Sequence, residues 1–173
     1  MNEVIRTIES RRSCRNYRED PVPKAIIDQV VEAGTYAASG MGKQSPIILE
    51  ILNKDTRDQL SRMNAQIMGT RNDPFYGAPY VLVVLADRNM PTHVYDGSLV
   101  LGNMMIAAES LGLGACWIHR AKEEFENEEG KKLLKYLGVQ GDYEGIGHLI
   151  LGWPATQPNR PAERKQNYVY TAD

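Results

Sequence analysis

Cysteine and histidine are scarce in this chain, and the motifs of the commonest catalytic sites are missing. Its 173 residues include two cysteines, Cys14 and Cys116, and three histidines, His93, His119 and His148. Neither a CxxC pair nor the ligand spacing of a conventional metal site occurs among them. The GxxxxGKS/T sequence of a P-loop and the GxSxG sequence of a hydrolase elbow are also absent. If the protein is an enzyme, we therefore expect a bound cofactor to supply its chemistry.

Long apolar runs and an excess of positive charge are missing too. No apolar run approaches the roughly 20 residues that a membrane-spanning helix needs, and the first ten residues lack the apolar core of a secretory signal. The net charge is −2 and the isoelectric point is near 6.0, which argues against a general nucleic-acid binder. We expect a cytoplasmic protein with one domain over residues 1–173 and reduced thiols, which binds neither membranes nor nucleic acid.

The hydrophobic patterns predict helices and strands in an irregular order. Helices are predicted over residues 2–10, 23–39, 56–68, 95–111 and 123–137, and strands over residues 46–52, 80–86, 115–119 and 145–152. Because the order is not a strict βαβ alternation, we assign the chain to the α+β class. The helix over 95–111 is apolar on nearly every side, which indicates burial in a core or in a subunit interface. The proline-rich tail after Gly152 has no clear period and is expected either to fray or to wrap around a partner.

The segment SRRSCRNYRED, residues 10–20, concentrates four arginines in a slightly acidic chain. They are Arg11, Arg12, Arg15 and Arg18. One interpretation is a helix C-terminus bearing cations, each favoured by the helix dipole by about 0.3–1 kcal/mol. The other is a phosphate site, in which guanidinium groups and the Ser13 hydroxyl bind the anion. A second basic group near the other end of the sequence consists of Arg160, Arg164 and Lys165. The residues alone leave both interpretations open.

Five segments, in order along nearly the whole chain, resemble the nitroreductase family of FMN-dependent oxidoreductases. SRRSCRNY resembles the family's N-terminal R-R/H-S-x-R/K element, and AASGMGKQSP resembles its A-P-S-x-x-N-x-Q-P loop. FYGAPYVLVVLA resembles the strand after its middle helix, and AAESLGLGACWI resembles its long buried helix with the next strand. LILGWPATQPNRPAERK resembles its G-Y/W-P tail with terminal basic residues. The loop departs from the family pattern, with Ala38 in place of proline, Gly42 in place of asparagine, and Ser45 between Gln44 and Pro46.

The resemblance implies a central, mostly antiparallel sheet flanked by helices, in a homodimer with two FMN sites at the subunit interface. The C-terminal tail would wrap the partner subunit, and the apolar helix would lie in the dimer core. The cofactor-binding residues that it implies are Arg11, Arg12, Ser13, Arg15, Ser39, Gly40, Gln44, Ile118, His119, Arg120, Arg164 and Lys165.

The resemblance also gives these residues separate roles. Arg11, with Arg164 and Lys165 from the tail, would bind the phosphate, and Arg12 and Ser13 would flank it. Arg15 would lie near N1 and O2 of the flavin ring, where a fixed cation stabilises the reduced anion. The loop of Ser39, Gly40 and Gln44 would come from the partner, and the segment 118–120 would pass beside N5 with a backbone N–H able to bond it.

The function implied is a ping-pong cycle in which NADH or NADPH reduces FMN and a flat, electron-poor acceptor reoxidises it. Nitroaromatics and quinones are the family's usual acceptors. The aromatic candidates to line the acceptor pocket are Tyr36, Phe75, Tyr76 and Trp117, and no side-chain acid or base is nominated. Two alternatives stay open: a flavin carrier or redox sensor without efficient turnover, and a protein that binds phosphate-rich ligands or nucleic acid without flavin.

Overall fold

A computed structural model of the chain describes residues 2–156 and 160–172. Within these residues the helices are α1 (Glu3–Ser10), α2 (Lys24–Thr35), α3 (Lys54–Met68), α4 (His93–Ser110), α5 (Ala121–Glu126) and α6 (Glu128–Tyr136). The strands are β1 (Pro46–Ile51), β2 (Tyr80–Asp87), β3 (Gly114–Ile118) and β4 (Tyr143–Gly152), and a 3-10 turn covers Gly40–Gly42. None of the helices in these two ranges is both long enough and apolar enough to cross a membrane.

The four strands form one sheet in the order β1-β2-β4-β3, and every neighbouring pair is antiparallel. The expected α+β fold with an antiparallel central sheet is therefore confirmed. Strand β2 lies inside the sheet, and its residues Val81–Ala86 are fully buried. The even-numbered residues of β2 pack toward α2 and α4, while its odd-numbered residues pack toward α3, α5 and α6. Helices thus cover both faces, which explains why β2 reads as an unbroken apolar run.

Two predicted helices differ from the structure by more than one or two residues at an end. The predicted helix over residues 123–137 is divided into α5 and α6, because the Asn127 side chain accepts hydrogen bonds from the N–H groups of Glu129 and Gly130 and starts a new helix. The predicted helix over residues 23–39 ends at Thr35. The loop that follows is held instead by hydrogen bonds to Asp96 at the start of α4.

Helix α4 is buried in the core along one side only, and the expected burial of its other side in a subunit interface stays a prediction. Its residues Leu101, Met104 and Ala108 are fully buried, whereas Tyr95 is 71% and Leu99 49% exposed. Helix α1 likewise leaves its apolar side exposed, and the side chains concerned are Val4, Ile5 and Ile8. In the single chain, α1 and α4 therefore each expose apolar side chains to solvent.

The C-terminal segment is attached to the N-terminal segment and then leaves the body of the protein. The indole N–H of Trp153 donates to the carbonyl of Pro21, and the N–H of Ala155 donates to the carbonyl of Asn16. Beyond the undescribed residues 157–159, which include Pro158 of the predicted tail, residues 160–172 are exposed throughout. The wrapping of this tail around a partner remains a prediction.

Candidate active-site cleft

Residues 13–17 run along the outer edge of β3 and are fixed there by backbone contacts. Ser13 forms a parallel bridge with Ala115, and the N–H of Cys14 donates to the Ala115 carbonyl at 2.9 Å. The Tyr17 hydroxyl donates to the Cys14 carbonyl at 2.7 Å, and burial raises the pKa of this hydroxyl above its ordinary value. A Cβ on Gly114 would lie 2.6 Å from the Cys14 sulfur, so the close approach requires glycine there.

A cavity of about 360 Å³ opens beside this segment, within the size range of small-molecule sites. Three parts of the chain meet around it: the arginine-rich segment, the turn between α4 and β3, and the exit of β4. Its lining includes Arg12, Ser13, Arg15, Glu109, Gly112, Pro154 and Thr156. The predicted residues Arg12, Ser13 and Arg15 are thus brought together, whereas Arg11 does not line this cavity.

The four clustered arginines have different surroundings. Arg12 donates from Nη1 to the carbonyls of Glu9 and Arg11 at the end of α1, while its buried Nε has no partner among the described residues. Arg18 forms an ion pair with Asp20 at 3.0 Å and lies over the Trp153 ring. Arg11 is the C-cap residue of α1, and its backbone N–H donates to the carbonyl of Thr7.

Arg15 differs from the other three because it lies in the lining of two cavities. A second cavity of about 340 Å³ also has Arg15 in its lining, with Tyr76, Trp117 and residues 118–120. The guanidinium carbon of Arg15 lies 5.8 Å from the centre of the Tyr76 ring, within the range of a cation–π contact. Arg15 is therefore common to the lining of both cavities, and the two cavities that share it are together called the cleft below. Of the predicted site residues, this brings Ile118, His119 and Arg120 close to the arginine cluster.

The loop that carries Tyr76 is held by Asp73. This carboxylate accepts hydrogen bonds from the guanidinium of Arg57, the hydroxyl of Ser61 and the N–H groups of Phe75 and Gly77. Burial alone would raise the pKa of Asp73, but these hydrogen bonds outweigh burial and leave the pKa below its ordinary value. Hydrogen bonds to the Asp73 carboxylate therefore hold the loop that places Tyr76 in the lining of the cleft.

The predicted residues Ser39, Gly40 and Gln44 lie elsewhere, in the loop between α2 and β1. Ser39 and Gln44 line a separate cavity of about 410 Å³, and no residue of the arginine cluster is part of its lining. The N–H of Gly40 donates to Asp96 at 3.0 Å, and the hydroxyls of Ser45 and Thr92 donate to the other carboxylate oxygen. Burial by itself would raise the pKa of Asp96, yet these three hydrogen bonds leave it lowered.

The predicted residues Arg164 and Lys165 are not among the described lining residues of the cleft in their own chain. Arg164 donates to the carbonyl of Ala162, and the Lys165 ammonium lies 5.1 Å from the centre of the Tyr168 ring. The single chain therefore brings together the predicted residues 12, 13, 15 and 118–120, and leaves the loop and the tail apart from them.

Sequence reasoning missed the buried groups that hold the cleft and its loops. Asp96 follows the pattern of an acidic residue in the first turn of a helix, and Glu124 looks like a surface charge in a charged helix. Both are almost completely buried. Their sequence signals are the same as those of exposed carboxylates, and only the tertiary structure reveals their role. Within the described residues, no cluster of three or more histidine, cysteine or acidic side chains could hold a metal ion.

A comparison with protein-family models decides which family the chain is related to. The model of the nitroreductase family matches residues 8–153, which include every strand of the sheet and the lining of the cleft except Pro154 and Thr156. The chain belongs to the nitroreductase family. The family model ends at Trp153 and so does not extend to the basic tail.

Individual relatives of this nitroreductase-family chain are similar over most of their length. An FMN reductase (NAD(P)H) of Bacillus subtilis is 26% identical over 186 residues, which cover 98% of this chain and 73% of the relative. An oxygen-insensitive NADPH nitroreductase of Salmonella typhimurium is 27% identical over 177 residues, covering 92% and 69%. The crystal structure of a nitroreductase with bound FMN from Bacteroides fragilis superposes with a TM-score of 0.91 at 25% identity, with complete coverage of both chains.

Proposed function

We propose that the protein transfers a hydride from NADH or NADPH through FMN to a small electron-poor acceptor, such as a nitroaromatic compound or a quinone. Membership of the nitroreductase family, with relatives named as FMN reductases and NADPH nitroreductases, makes the chain a flavin oxidoreductase with FMN as cofactor. The finer assignment of acceptor and mechanism rests on the cleft, whose two cavities share Arg15. We place this activity in the cytoplasm.

The donors in the cleft fit a flavin mononucleotide. Among the described residues, the Arg15 guanidinium has no hydrogen-bond or ion-pair partner and the buried Nε of Arg12 has no hydrogen-bond partner, and Ser13 adds the hydroxyl of an exposed residue. Guanidinium groups present planar N–H forks that match phosphate oxygens and other anionic acceptors. On the other side of Arg15, aromatic and backbone groups of Tyr76, Trp117 and residues 118–120 provide the kind of surface that a flat ring contacts.

The residues of the chain bind, orient and provide electrostatic stabilisation, while FMN supplies the hydride chemistry when bound. Arg15 is a fixed positive charge that stabilises negative charge developing on a neighbouring ligand. The anchored loop of Tyr76 keeps one wall of the cleft in place, so a donor and then an acceptor can be oriented in the same slot. None of the side chains in the cleft is assigned as a general acid or base.

We further propose that two copies of the chain complete each site. The apolar sides of α1 and α4 are uncovered in the single chain, as expected for surfaces that a second copy buries. The loop of Ser39, Gly40 and Gln44, and the basic residues Arg164 and Lys165, lie away from the cleft of their own chain. Both would reach the cleft of the partner in a twofold dimer.

An anaerobic titration tests this function against the alternative of a flavin carrier. Purified protein is saturated with FMN, freed of excess cofactor, and titrated with NADH or NADPH while the visible flavin absorbance is followed. We expect bleaching by one equivalent of reductant and recovery of the colour after addition of a quinone. A yellow protein that is not bleached would support the carrier, and a protein that retains no flavin would contradict both functions.

A further inference from the structure

Three polar side chains form a fully buried network behind the cleft: Asn64, Glu124 and His148. They come from α3, α5 and β4, so the network joins two of the three helices on this face of the sheet to an inner strand. None of them lines the cleft, and the proposed reaction uses none of them in a chemical step. Burying polar groups is costly unless every one has a partner, so the contacts of the network need an explanation.

Both the nitrogen and the oxygen of the Asn64 side-chain amide form hydrogen bonds with the segment 118–120, which lines the cleft. Its Nδ2 donates to the carbonyl of His119 at 2.8 Å and to one carboxylate oxygen of Glu124. Its Oδ1 accepts from Nε of Arg120 at 3.0 Å. Arg120 has φ +79°, a left-handed conformation that a residue other than glycine adopts only when its surroundings impose it.

His148 holds the preceding carbonyl of the same segment. Its Nδ1 lies 3.3 Å from the carbonyl oxygen of Ile118, and its Nε2 lies 3.1 Å from the second carboxylate oxygen of Glu124. Because a carbonyl can only accept, Nδ1 carries a proton. One further proton lies between Nε2 and Glu124, and each polar atom of the network therefore has a partner.

These contacts determine where two backbone N–H groups point. In a trans peptide the N–H of one residue points opposite to the carbonyl of the residue before it, and none of the described peptides is cis. The carbonyls of Ile118 and His119 face the network, so the N–H groups of His119 and Arg120 face away from it. Neither N–H group has an acceptor in the described part of the chain. Both residues line the cleft.

We propose that Asn64, Glu124 and His148 are positioning residues, which hold residues 118–120 so that two N–H groups face the cleft as a fixed pair of donors. This inference rests on the proposed function, in which the donors serve the polar edge of a flavin ring. A buried, partly charged network contributes little net stability compared with apolar side chains of similar volume. Its presence at this point is better explained by orientation of the segment than by stability.

The test uses variants that separate geometry from charge. Glu124→Gln can keep every hydrogen bond, because its Oε1 accepts from Asn64 and its NH₂ group donates to Nε2 of a neutral His148. Glu124→Leu removes both contacts, and Asn64→Ala independently removes the contact to His119. The matched controls are Glu144→Gln and Glu144→Leu, which alter another buried carboxylate, paired with Arg88 at 2.7 Å.

Two measurements are made on each variant that folds. Backbone NMR order parameters of residues 119 and 120 are measured without flavin, and FMN affinity is measured by quenching of flavin fluorescence. We expect order parameters of about 0.85 in wild type and Glu124→Gln, and below about 0.6 in Glu124→Leu and Asn64→Ala. We expect FMN affinity to fall about tenfold in the latter two, the effect of one lost hydrogen bond.

The Glu144 variants should lose stability while keeping both the order parameters and the FMN affinity. The proposal is overturned if Glu124→Leu and Asn64→Ala leave residues 119 and 120 rigid, or if Glu144→Leu loosens them equally. Wild-type protein that binds no FMN would contradict the proposed function instead. In that case the order parameters alone decide whether the network positions the segment.

Discussion

Replacing Asp96 by asparagine tests whether one buried carboxylate holds the loop of Ser39, Gly40 and Gln44. Asp96 is 2% exposed and accepts three hydrogen bonds at 2.8–3.0 Å. Asparagine has the same shape: its Oδ1 can accept from the N–H of Gly40, and its NH₂ group can donate to the Ser45 and Thr92 hydroxyl oxygens, so these two hydrogen bonds become neutral and reverse direction. A hydrogen bond to a charged group contributes about 1.5–3 kcal/mol and a neutral one about 0.5–1.5 kcal/mol. Allowing for the lower desolvation cost of the amide, we expect a net loss of about 2 kcal/mol in the free energy of unfolding.

The assay is urea and thermal unfolding at two pH values. At pH 7 the loss corresponds to a melting temperature lower by about 4–8 °C for a chain of this size. Because the folded pKa of Asp96 lies below its ordinary value of 3.8, its contribution is fully present above pH 3.8 and is lost as the pH falls through the folded pKa. The difference between wild type and variant should therefore shrink in acid.

The matched control is Asp28→Asn, which changes an exposed carboxylate paired with Lys24 on the surface and should leave the melting temperature unchanged. Equal stability of Asp96→Asn and wild type at pH 7 would refute the reasoning. So would a difference that grows, rather than shrinks, on acidification.

Three further predictions concern the cleft, the tail and the loop. Arg15→Ala should weaken FMN binding about 10–150-fold, as expected for loss of a contact of about 1.5–3 kcal/mol. Arg18→Ala should leave FMN binding unchanged, because the Arg18 guanidinium already pairs within the chain. Equal FMN affinities of the two variants in a fluorescence titration would contradict this prediction. Removal of residues 157–173 should lower FMN affinity and weaken the dimer in light scattering without lowering the melting temperature of the body, and unchanged FMN binding would exclude the tail from the site. Gly40→Ala places a Cβ 2.3 Å from the Thr92 hydroxyl oxygen and should cost about 1–3 kcal/mol of unfolding free energy, a loss that a wild-type melting temperature would disprove.

The fold was predictable where local pattern and burial agree. The apolar run of β2 gave a strand covered on both faces, and the structure has it at the centre of the sheet. The division between α5 and α6 was not predictable from periodicity, because it depends on a capping side chain and on the close packing of Gly130 against the Glu124 carbonyl. For α4 the sequence indicated burial in a core or in a subunit interface, but an apolar sequence does not reveal which side its own chain covers.

The cleft was predictable in part, through resemblance rather than through composition. Arg15 and His119 are 104 residues apart in the sequence, and the parallel bridge between Ser13 and Ala115 places the arginine segment beside β3. The roles of the carboxylates of Asp73, Asp96 and Glu124 could not be predicted from the sequence. Their roles depend on burial and on hydrogen bonds from distant parts of the chain, which no local pattern encodes. The helix-end interpretation of the arginines proved relevant for Arg12, whose Nη1 meets the last carbonyls of α1.

A crystal structure of the protein grown with FMN tests the central claim most directly, since that claim concerns where the cofactor lies. It should show flavin in the cleft in contact with Arg15, between the two cavities, with the tail of a second copy near the phosphate. Flavin bound at a different surface, with Arg15 making no contact to it, would contradict the account.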